Sequence, residues 1–158
     1  LIQPKERTIL LTFGGLSLDA IPYQNIDQFP EYQFITFDAH APNLPNLVKA
    51  LDRAYRPVDF MPLCDRVVSK PGYSTYAEAL KLQIPIVSLT RSGFAEAEII
   101  LNGMQDYGYH QIISPDQFFA NNWDFLNLPL QPPRLNTNLA IDGNHSIASS
   151  IVEYFRVK

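Results

Sequence analysis

The sequence has a single cysteine, no long hydrophobic run and no excess of positive charge. Because Cys64 has no partner cysteine, an internal disulfide framework and a thiolate metal cluster are excluded, and we expect a reducing, cytoplasmic compartment. No apolar stretch approaches the roughly 20 residues that a membrane-spanning helix needs, so we expect no membrane span in this chain. The formal charge of −4 gives no general attraction to nucleic acid, and we predict no nucleic-acid partner.

The signatures of several common enzyme classes are also missing. The chain contains neither the Walker loop G-x-x-x-x-G-K-S/T nor the dinucleotide fingerprint G-x-G-x-x-G, and it lacks the H-E-x-x-H metal motif and the G-x-S-x-G nucleophile elbow. His40, His110 and His145 share no metal-ligand spacing with one another or with acids, so we expect them to be surface or structural residues. The sequence therefore predicts no bound metal and no cofactor.

The chain does contain apolar, β-branched runs that alternate with helical segments. Predicted strands lie at 8–13, 32–37, 66–69, 84–89 and 109–113. Predicted helices lie within 16–29 and at 58–63, 74–82, 94–107 and 145–155, with a further helix start at 114–116. Strands that alternate with helices at short spacing form β-α-β crossovers. We therefore expect an α/β, Rossmann-like three-layer domain with a mostly parallel sheet.

Other segments are less regular. Residues 46–55 have helical spacing between two prolines, which fits a helix or an irregular connection, and the proline-rich segment 126–144 predicts an extended loop. Four aromatic residues are predicted to pack in the core beneath this loop: Phe118, Phe119, Trp123 and Phe125. The length of 158 residues fits one domain over 1–158. The start at Leu1, without methionine, indicates a fragment or one half of a two-domain protein.

Three loops follow predicted strands and should meet at one edge of the sheet. They contain Gly14-Gly15, Lys70-Pro71-Gly72 and residues 90–94. Ligands of parallel sheets bind outside the carboxyl ends of the strands. Glycines at a strand end let a ligand approach the backbone, or they simply form a tight turn. The Gly14-Gly15 pair alone leaves both interpretations open.

The most informative stretch, residues 65–85, reads DRVVSKPGYSTYAEALKLQIP. A strand that breaks at Gly72 and restarts as a helix aims free N–H groups and the positive end of the helix dipole at one point, which suits a phosphate. The hydroxyls of Ser74 and Thr75 either cap the helix or hold a diphosphate. Glu78 fits the capping-box spacing from Thr75, and equally a carboxylate that binds a ribose diol. The sequence leaves these alternatives open.

The loop after the predicted strand 84–89 and the helix that follows it carry a second polar group. Arg91, Glu96 and Glu98 form a plausible site for sugar hydroxyls, with Phe94 between them. The helix dipole alone favours an acid at a helix start, so one of the glutamates needs no function. Asn102 lies four residues after Glu98 and shares its helix face. We predict that these residues face a sugar.

The run CDRVVSKPGYSTYAEALKLQIPIVSL resembles the carboxy-terminal, donor-binding domain of GT-B glycosyltransferases. The resemblance is strongest to the MurG-like group, the glycosyltransferase family 28 carboxy-terminal domains, which transfer sugars from UDP-sugars. It includes the strand that ends at Gly14-Gly15 and the R-x-x-F-x-E segment at 91–96, and covers most of residues 8–108. It extends to the glycosyltransferase-like half fused to plant arabinose kinases. The resemblance implies that the chain is one half of a GT-B fold.

The resemblance also implies a role for each candidate residue. The residues that hold the nucleotide diphosphate are Gly14, Gly15, Gly72, Ser74 and Thr75. Glu78 binds the ribose hydroxyls. The residues that face the donor sugar are Arg91, Phe94, Glu96, Glu98 and Asn102. Ile99 stands where relatives often carry glutamine, so the identity of the sugar is open.

The implied activity is transfer of a hexose-type sugar from a nucleoside diphosphate sugar, with UDP as the expected nucleotide. Relatives work without a metal, which agrees with the lack of a D-x-D motif. Their acceptor site and catalytic base lie in an amino-terminal domain, for which this sequence has no room. We therefore expect the isolated chain to bind the donor without turnover. Two alternatives stay open: a nucleotide-sugar 2-epimerase-like enzyme and a non-catalytic nucleotide-sugar-binding module.

Overall fold

The computed structural model of the protein describes residues 5, 7–14, 21–137 and 139–156. Within these residues six strands are found: β1 (Arg7–Leu11), β2 (Tyr32–Thr36), β3 (Leu47–Lys49), β4 (Arg66–Ser69), β5 (Ile86–Leu89) and β6 (His110–Ile113). They form one sheet in the order β3-β2-β1-β4-β5-β6, and all neighbouring pairs are parallel. The predicted α/β, Rossmann-like architecture is therefore confirmed.

The strand order creates a switch point between β1 and β4. From β1 the chain builds outward through β2 to β3, then returns to the centre and builds outward in the other direction from β4 to β6. The backbone N–H of Thr12 donates to the carbonyl oxygen of Val68 at 3.1 Å, so the two central strands stay joined up to their carboxyl ends. In doubly wound sheets the crevice at such a switch point is the usual ligand site.

Helices α1 (Pro57–Phe60), α2 (Tyr73–Lys81) and α3 (Ala97–Tyr107) cover one face of the sheet. Tyr76 and Ala79 of α2 are buried three residues apart, a spacing that places both on one side of the helix. The Tyr76 hydroxyl donates to Ser88 Oγ of β5. Helix α3 ends at Gly108, as predicted, where a Cβ would lie only 2.7 Å from Leu80 Cδ2. The carboxyl end of α3 therefore packs close to α2.

The other face is covered by α4 (Pro115–Phe119) and by 3-10 turns at Tyr23–Gln28 and Asp124–Asn127. Trp123 is 1% exposed and its Nε1 donates to the carbonyl oxygen of Phe118 at 2.8 Å. Phe125 is also buried, as predicted, but Phe119 is 43% exposed, so its predicted core position is wrong. Phe119 follows Phe118 directly in α4, and adjacent helical residues face different directions.

Two sequence-based assignments differ from the structure. Residues 46–55 contain the short strand β3, because the N–H of Phe34 donates to Asn46 O and the N–H of Ala50 donates to Thr36 O, each at 2.8 Å. Pairing with β2 thus overrides the helical spacing. The predicted helix within 16–29 is a 3-10 turn where it is described, and 15–20 lie outside the described residues.

Between the 3-10 turn Asp124–Asn127 and residue 143, the described residues of the predicted loop 126–144 are irregular, as predicted, apart from an antiparallel bridge between Gln131 and His110. Helix α5 (Gly143–Arg156) follows it, and no described side chain of α5 is buried. Ile147 and Phe155 on its predicted apolar side are 64% and 71% exposed. None of the described helices is long and apolar enough to span a membrane.

Helix α2 ends in a Schellman motif with an unfavourable residue at its left-handed position. The N–H of Gln83 donates to Leu80 O at 3.1 Å and the N–H of Ile84 donates to Ala79 O at 2.9 Å. Gln83 adopts the left-handed conformation with φ +58°, and the residue usually found in this conformation at the end of a helix is glycine.

Replacing Gln83 with glycine should raise the free energy of unfolding by about 1 kcal/mol, because glycine adopts positive φ without the steric cost of a Cβ. Equilibrium urea denaturation measures the change. Ala77→Gly, an exposed position within α2, is the matched control and should lower stability by about 1 kcal/mol. A loss of stability in Gln83→Gly would contradict the assigned backbone conformation.

Candidate functional site

The loops after β1 and β4 lie on either side of the crevice at the switch point. Gly14, after β1, has φ +66°, and a Cβ there would meet nothing within 4 Å, so glycine is required by the dihedral angle and not by space. Gly15 lies outside the described residues. Gly72, after β4, has φ −164° and ψ 132°, which any residue adopts. A Cβ at Gly72 would make only an ordinary contact, 3.9 Å from Lys70 O, so the fold itself does not demand glycine there.

Helix α2 starts at Tyr73, with Gly72 as its N-cap residue, and no described side chain caps it. The capping alternative for Ser74, Thr75 and Glu78 is therefore wrong. A cap side chain must precede the helix on extended backbone, whereas Ser74 and Thr75 already lie within its first turn. The first-turn N–H groups of α2 lie just after the carboxyl end of β4, and no described side chain accepts a hydrogen bond from them as a cap.

Glu78 lies half-buried one turn further into α2. Within the described part of the chain, no hydrogen bond or ion pair engages its carboxylate. Both carboxylate oxygens are therefore available as acceptors beside an uncapped helix start.

The loops after β4 and β5 each carry a cationic side chain, Lys70 and Arg91. The Arg91 guanidinium lies 4.3 Å from the centre of the Phe94 ring, an arrangement that holds the charge in place by a cation–π contact. Burial lowers the pKa of Lys70, and the positive charge of Arg91 acts in the same direction. Lys70 and Arg91 follow the ends of β4 and β5, which pair in parallel, so both cations belong to the loops at this end of the sheet.

Helix α3 begins later than predicted, at Ala97, because the N–H of Ala97 donates to Phe94 O in a turn that precedes the helix. Glu96 is the N-cap residue and Glu98 lies in the first turn. A carboxylate in the first turn is stabilised by the helix dipole, so Glu98 has a structural role available as well as a functional one.

Arg91, Glu98 and Asn102 line one cleft of about 440 Å³ between α3 and the edge strand β6. Its other lining residues are Thr90, Ser92, Ala97, Leu101, Gln105 and Ile112. Phe94 and Glu96 do not line this cleft, although the Phe94 ring supports Arg91. The structure thus brings together three of the five residues predicted to face a sugar.

Arg134, which sequence reasoning did not identify, fixes one of these side chains. Its Nη2 donates to Asn102 O at 3.0 Å and to Asn102 Oδ1 at 3.3 Å, and it forms an ion pair with Asp106 at 2.8 Å. Because a guanidinium only donates, Asn102 must turn its oxygen toward Arg134, which leaves its amide N–H groups for another acceptor. Arg134 lies in the irregular proline-rich segment, where no sequence pattern indicates this contact.

The described residues contain no group of three or more histidine, cysteine, aspartate or glutamate side chains arranged to hold a metal ion. Cys64 is buried, its thiol donates to Phe60 O at 3.1 Å, and burial raises its pKa to about 12. The thiol therefore stays protonated at neutral pH and acts as a small buried group.

No protein-family model and no curated protein matches the sequence. Several solved structures share the fold, and two of them are glycosyltransferases. The glycosyltransferase SnogD from Streptomyces nogalater has a TM-score of 0.52 and 12% identity, and the match covers 73% of this chain and 35% of that one. The glycotransferase of kitacinnamycin has a TM-score of 0.51 and 16% identity, with coverage of 70% and 31%. The chain thus spans about a third of the length of these neighbours. The predicted GT-B-like fold is confirmed, but these matches do not reach the MurG-like group.

Proposed function

We propose that this chain is the donor-binding half of a glycosyltransferase, and that it binds a UDP-sugar from which a hexose is transferred without a metal ion. The proposal rests on the uncapped first turn of α2, which lies at the β1–β4 switch point with the available Glu78 carboxylate one turn away. A helix start favours a phosphate, and a carboxylate beside it favours a diol. A nucleoside diphosphate carries both groups.

The diphosphate would lie between the two glycine loops. The N–H groups and hydroxyls of Ser74 and Thr75 would donate to the phosphate oxygens, and Lys70 and Arg91 would offset their charge. Gly72 supports this assignment because the fold does not require glycine there, whereas a phosphate that contacts the backbone does. Gly14 and Gly15 would line the opposite side.

The sugar would extend from the diphosphate toward the loop after β5. Glu98 and the free amide N–H groups of Asn102 would bind its hydroxyls within the cleft, with Arg91 held over Phe94, and Glu96 would reach them from the N-cap of α3 outside the cleft. Departure of the nucleoside diphosphate leaves negative charge, which preorganised N–H groups and cationic side chains stabilise. The acceptor and the catalytic base would come from an amino-terminal domain of the MurG-like type, so this chain alone would bind the donor and not transfer it.

Calorimetric titration of the protein with UDP, GDP, ADP and the corresponding sugars tests the proposal. We expect UDP to bind with a Kd below about 1 mM and uridine, which lacks the phosphates, to bind at least about tenfold more weakly. Gly72→Ala should weaken UDP binding and lower stability by no more than about 1 kcal/mol. If no nucleotide binds at millimolar concentration, the proposed donor site is wrong.

A further inference from the structure

A second cleft lies at the opposite edge of the sheet, where β1 and β4 begin. Arg7 is the first residue of β1 and Arg66 the first of β4, and Arg66 pairs in register with Ile9. Both arginines line a cleft of about 340 Å³, a volume typical of small-molecule pockets. This cleft is separated from the proposed nucleotide site by the length of the strands.

Arg66 is a half-buried cation that forms no ion pair with any described residue. Its Nε is fully buried and has no hydrogen-bond partner, while Nη1 makes a long contact of 3.4 Å to Leu126 O. Among the described residues no carboxylate lies within ion-pair distance of Arg66. A guanidinium remains charged under all ordinary conditions, and a buried charged donor without an acceptor is costly. The charge of Arg66 is therefore unpaired among the described residues, and because Arg66 lines the cleft, an acceptor bound there would pair with it.

The neighbouring groups do not supply that acceptor. Asp65 Oδ2 accepts the backbone N–H of Thr8 at 2.6 Å, which holds this carboxylate against β1. Arg7 donates to the Tyr32 hydroxyl and also lies 5.3 Å from the centre of the Tyr32 ring. Burial lowers the pKa of Arg66, and the positive charge of Arg7 acts in the same direction, while Tyr32 and Asp65 oppose it. Both cations line the same cleft.

Besides the two arginines, Asp65 and Asn127 are the polar residues that line the cleft, and one side of it is apolar, formed by Ile9, Leu126, Leu128 and Pro129. Leu126 is 1% exposed, whereas Leu128 is 53% exposed and offers apolar surface to a bound molecule. A bare inorganic anion would leave this surface in water. A molecule with one anionic end and a hydrocarbon body would contact both parts of the cleft.

We propose that this cleft binds a small organic acid, whose carboxylate accepts hydrogen bonds from Arg66 and Arg7 and whose hydrocarbon body packs against Leu128 and Pro129. This site is independent of the proposed nucleotide site, because its residues lie at the other edge of the sheet. Its ligand class follows from the two guanidinium groups, which outnumber the single lining carboxylate of Asp65, and from the apolar side of the cleft.

Hexanoate is a suitable probe, and the Nε–Hε signal of Arg66 in a ¹H–¹⁵N NMR spectrum is a direct readout. Arg66→Met, which removes the guanidinium and retains an apolar side chain, assigns the signal. We expect a saturable shift with hexanoate and none with hexan-1-ol. Inorganic phosphate should bind more weakly than hexanoate. The backbone amide of Leu128 should shift in parallel.

Arg66→Met should abolish hexanoate binding at the Leu128 amide. Arg7→Gln is the second variant, to be used if Arg66→Met fails to fold, because Arg7 is exposed. It should weaken hexanoate binding about tenfold. Arg91→Gln at the other edge should leave it unchanged. The proposal is overturned if no saturable shift occurs up to about 50 mM, if hexan-1-ol acts equally, if phosphate binds more tightly, or if both variants of the cleft still bind.

Discussion

Replacing Trp123 with alanine is expected to lower the free energy of unfolding by about 3–5 kcal/mol. The indole ring lies 5.4 Å from the Phe118 ring, 5.9 Å from Phe34 and 6.1 Å from Phe125, measured between ring centres. Alanine would leave a cavity among these rings and would remove the donor to the Phe118 carbonyl oxygen. Because Trp123 is the only tryptophan, urea denaturation should be followed by circular dichroism and not by fluorescence.

Phe119→Ala is the matched control, because it removes an aromatic side chain that contacts Phe118 but is 43% exposed. Its cost should not exceed about 1 kcal/mol. Equal losses in the two variants would mean that Trp123 is not the centre of this aromatic cluster. A loss confined to Trp123→Ala would indicate that the segment after β6 is an integral part of the folded domain.

Replacing Glu78 with glutamine is expected to weaken UDP binding about 10- to 100-fold, since a hydrogen bond to a charged group is worth about 1.5–3 kcal/mol. Glutamine keeps the length of the side chain but loses the charge and one acceptor oxygen. Calorimetric titration with UDP and with 2′-deoxy-UDP measures the effect. If Glu78 accepts the ribose hydroxyls, 2′-deoxy-UDP should bind the unaltered protein more weakly, and the substitution should weaken its binding less than that of UDP.

Glu153→Gln on α5 makes the same chemical change away from the crevice and should leave UDP affinity unchanged. Glu78→Gln itself should alter stability by less than about 0.5 kcal/mol, because the carboxylate does not cap α2. An unchanged UDP affinity would remove Glu78 from the proposed site and would leave the diphosphate contacts standing. A loss of binding accompanied by unfolding would be attributed to stability and not to recognition.

The local sequence pattern was sufficient to predict those helices and strands whose own residues determine their conformation. The apolar, β-branched run at β4 matches residues 66–69 without adjustment, since a buried parallel strand needs little more than such a run. Strand β3 was not predicted because its hydrogen bonds come from β2, which a local pattern does not contain. The left-handed conformation of Gln83 likewise has no local signal, since glycine is the residue expected there.

The meeting of the three loops at one edge followed from the parallel topology and required no side-chain detail. The choice between capping and ligand binding for Ser74 and Thr75 did depend on such detail. If a helix starts one or two residues earlier, a hydroxyl that would cap it lies within its first turn instead. Arg134 was beyond prediction for another reason. It reaches Asn102 across 32 residues, and the contact depends on the path of a segment without periodicity.

The pairing of β1 with β4 also has a kinetic consequence. The contact between Thr8 and Asp65 joins residues 57 positions apart, so a long loop must close before the two central strands meet. A growing chain that has formed only β1, β2 and β3 has an open sheet edge where the crevice will later lie. Neither the proposed donor site nor the arginine-lined cleft exists at that stage. Both need β4 to pair with β1 at the centre of the sheet, and the cleft also needs residues 126–129, which come later in the chain.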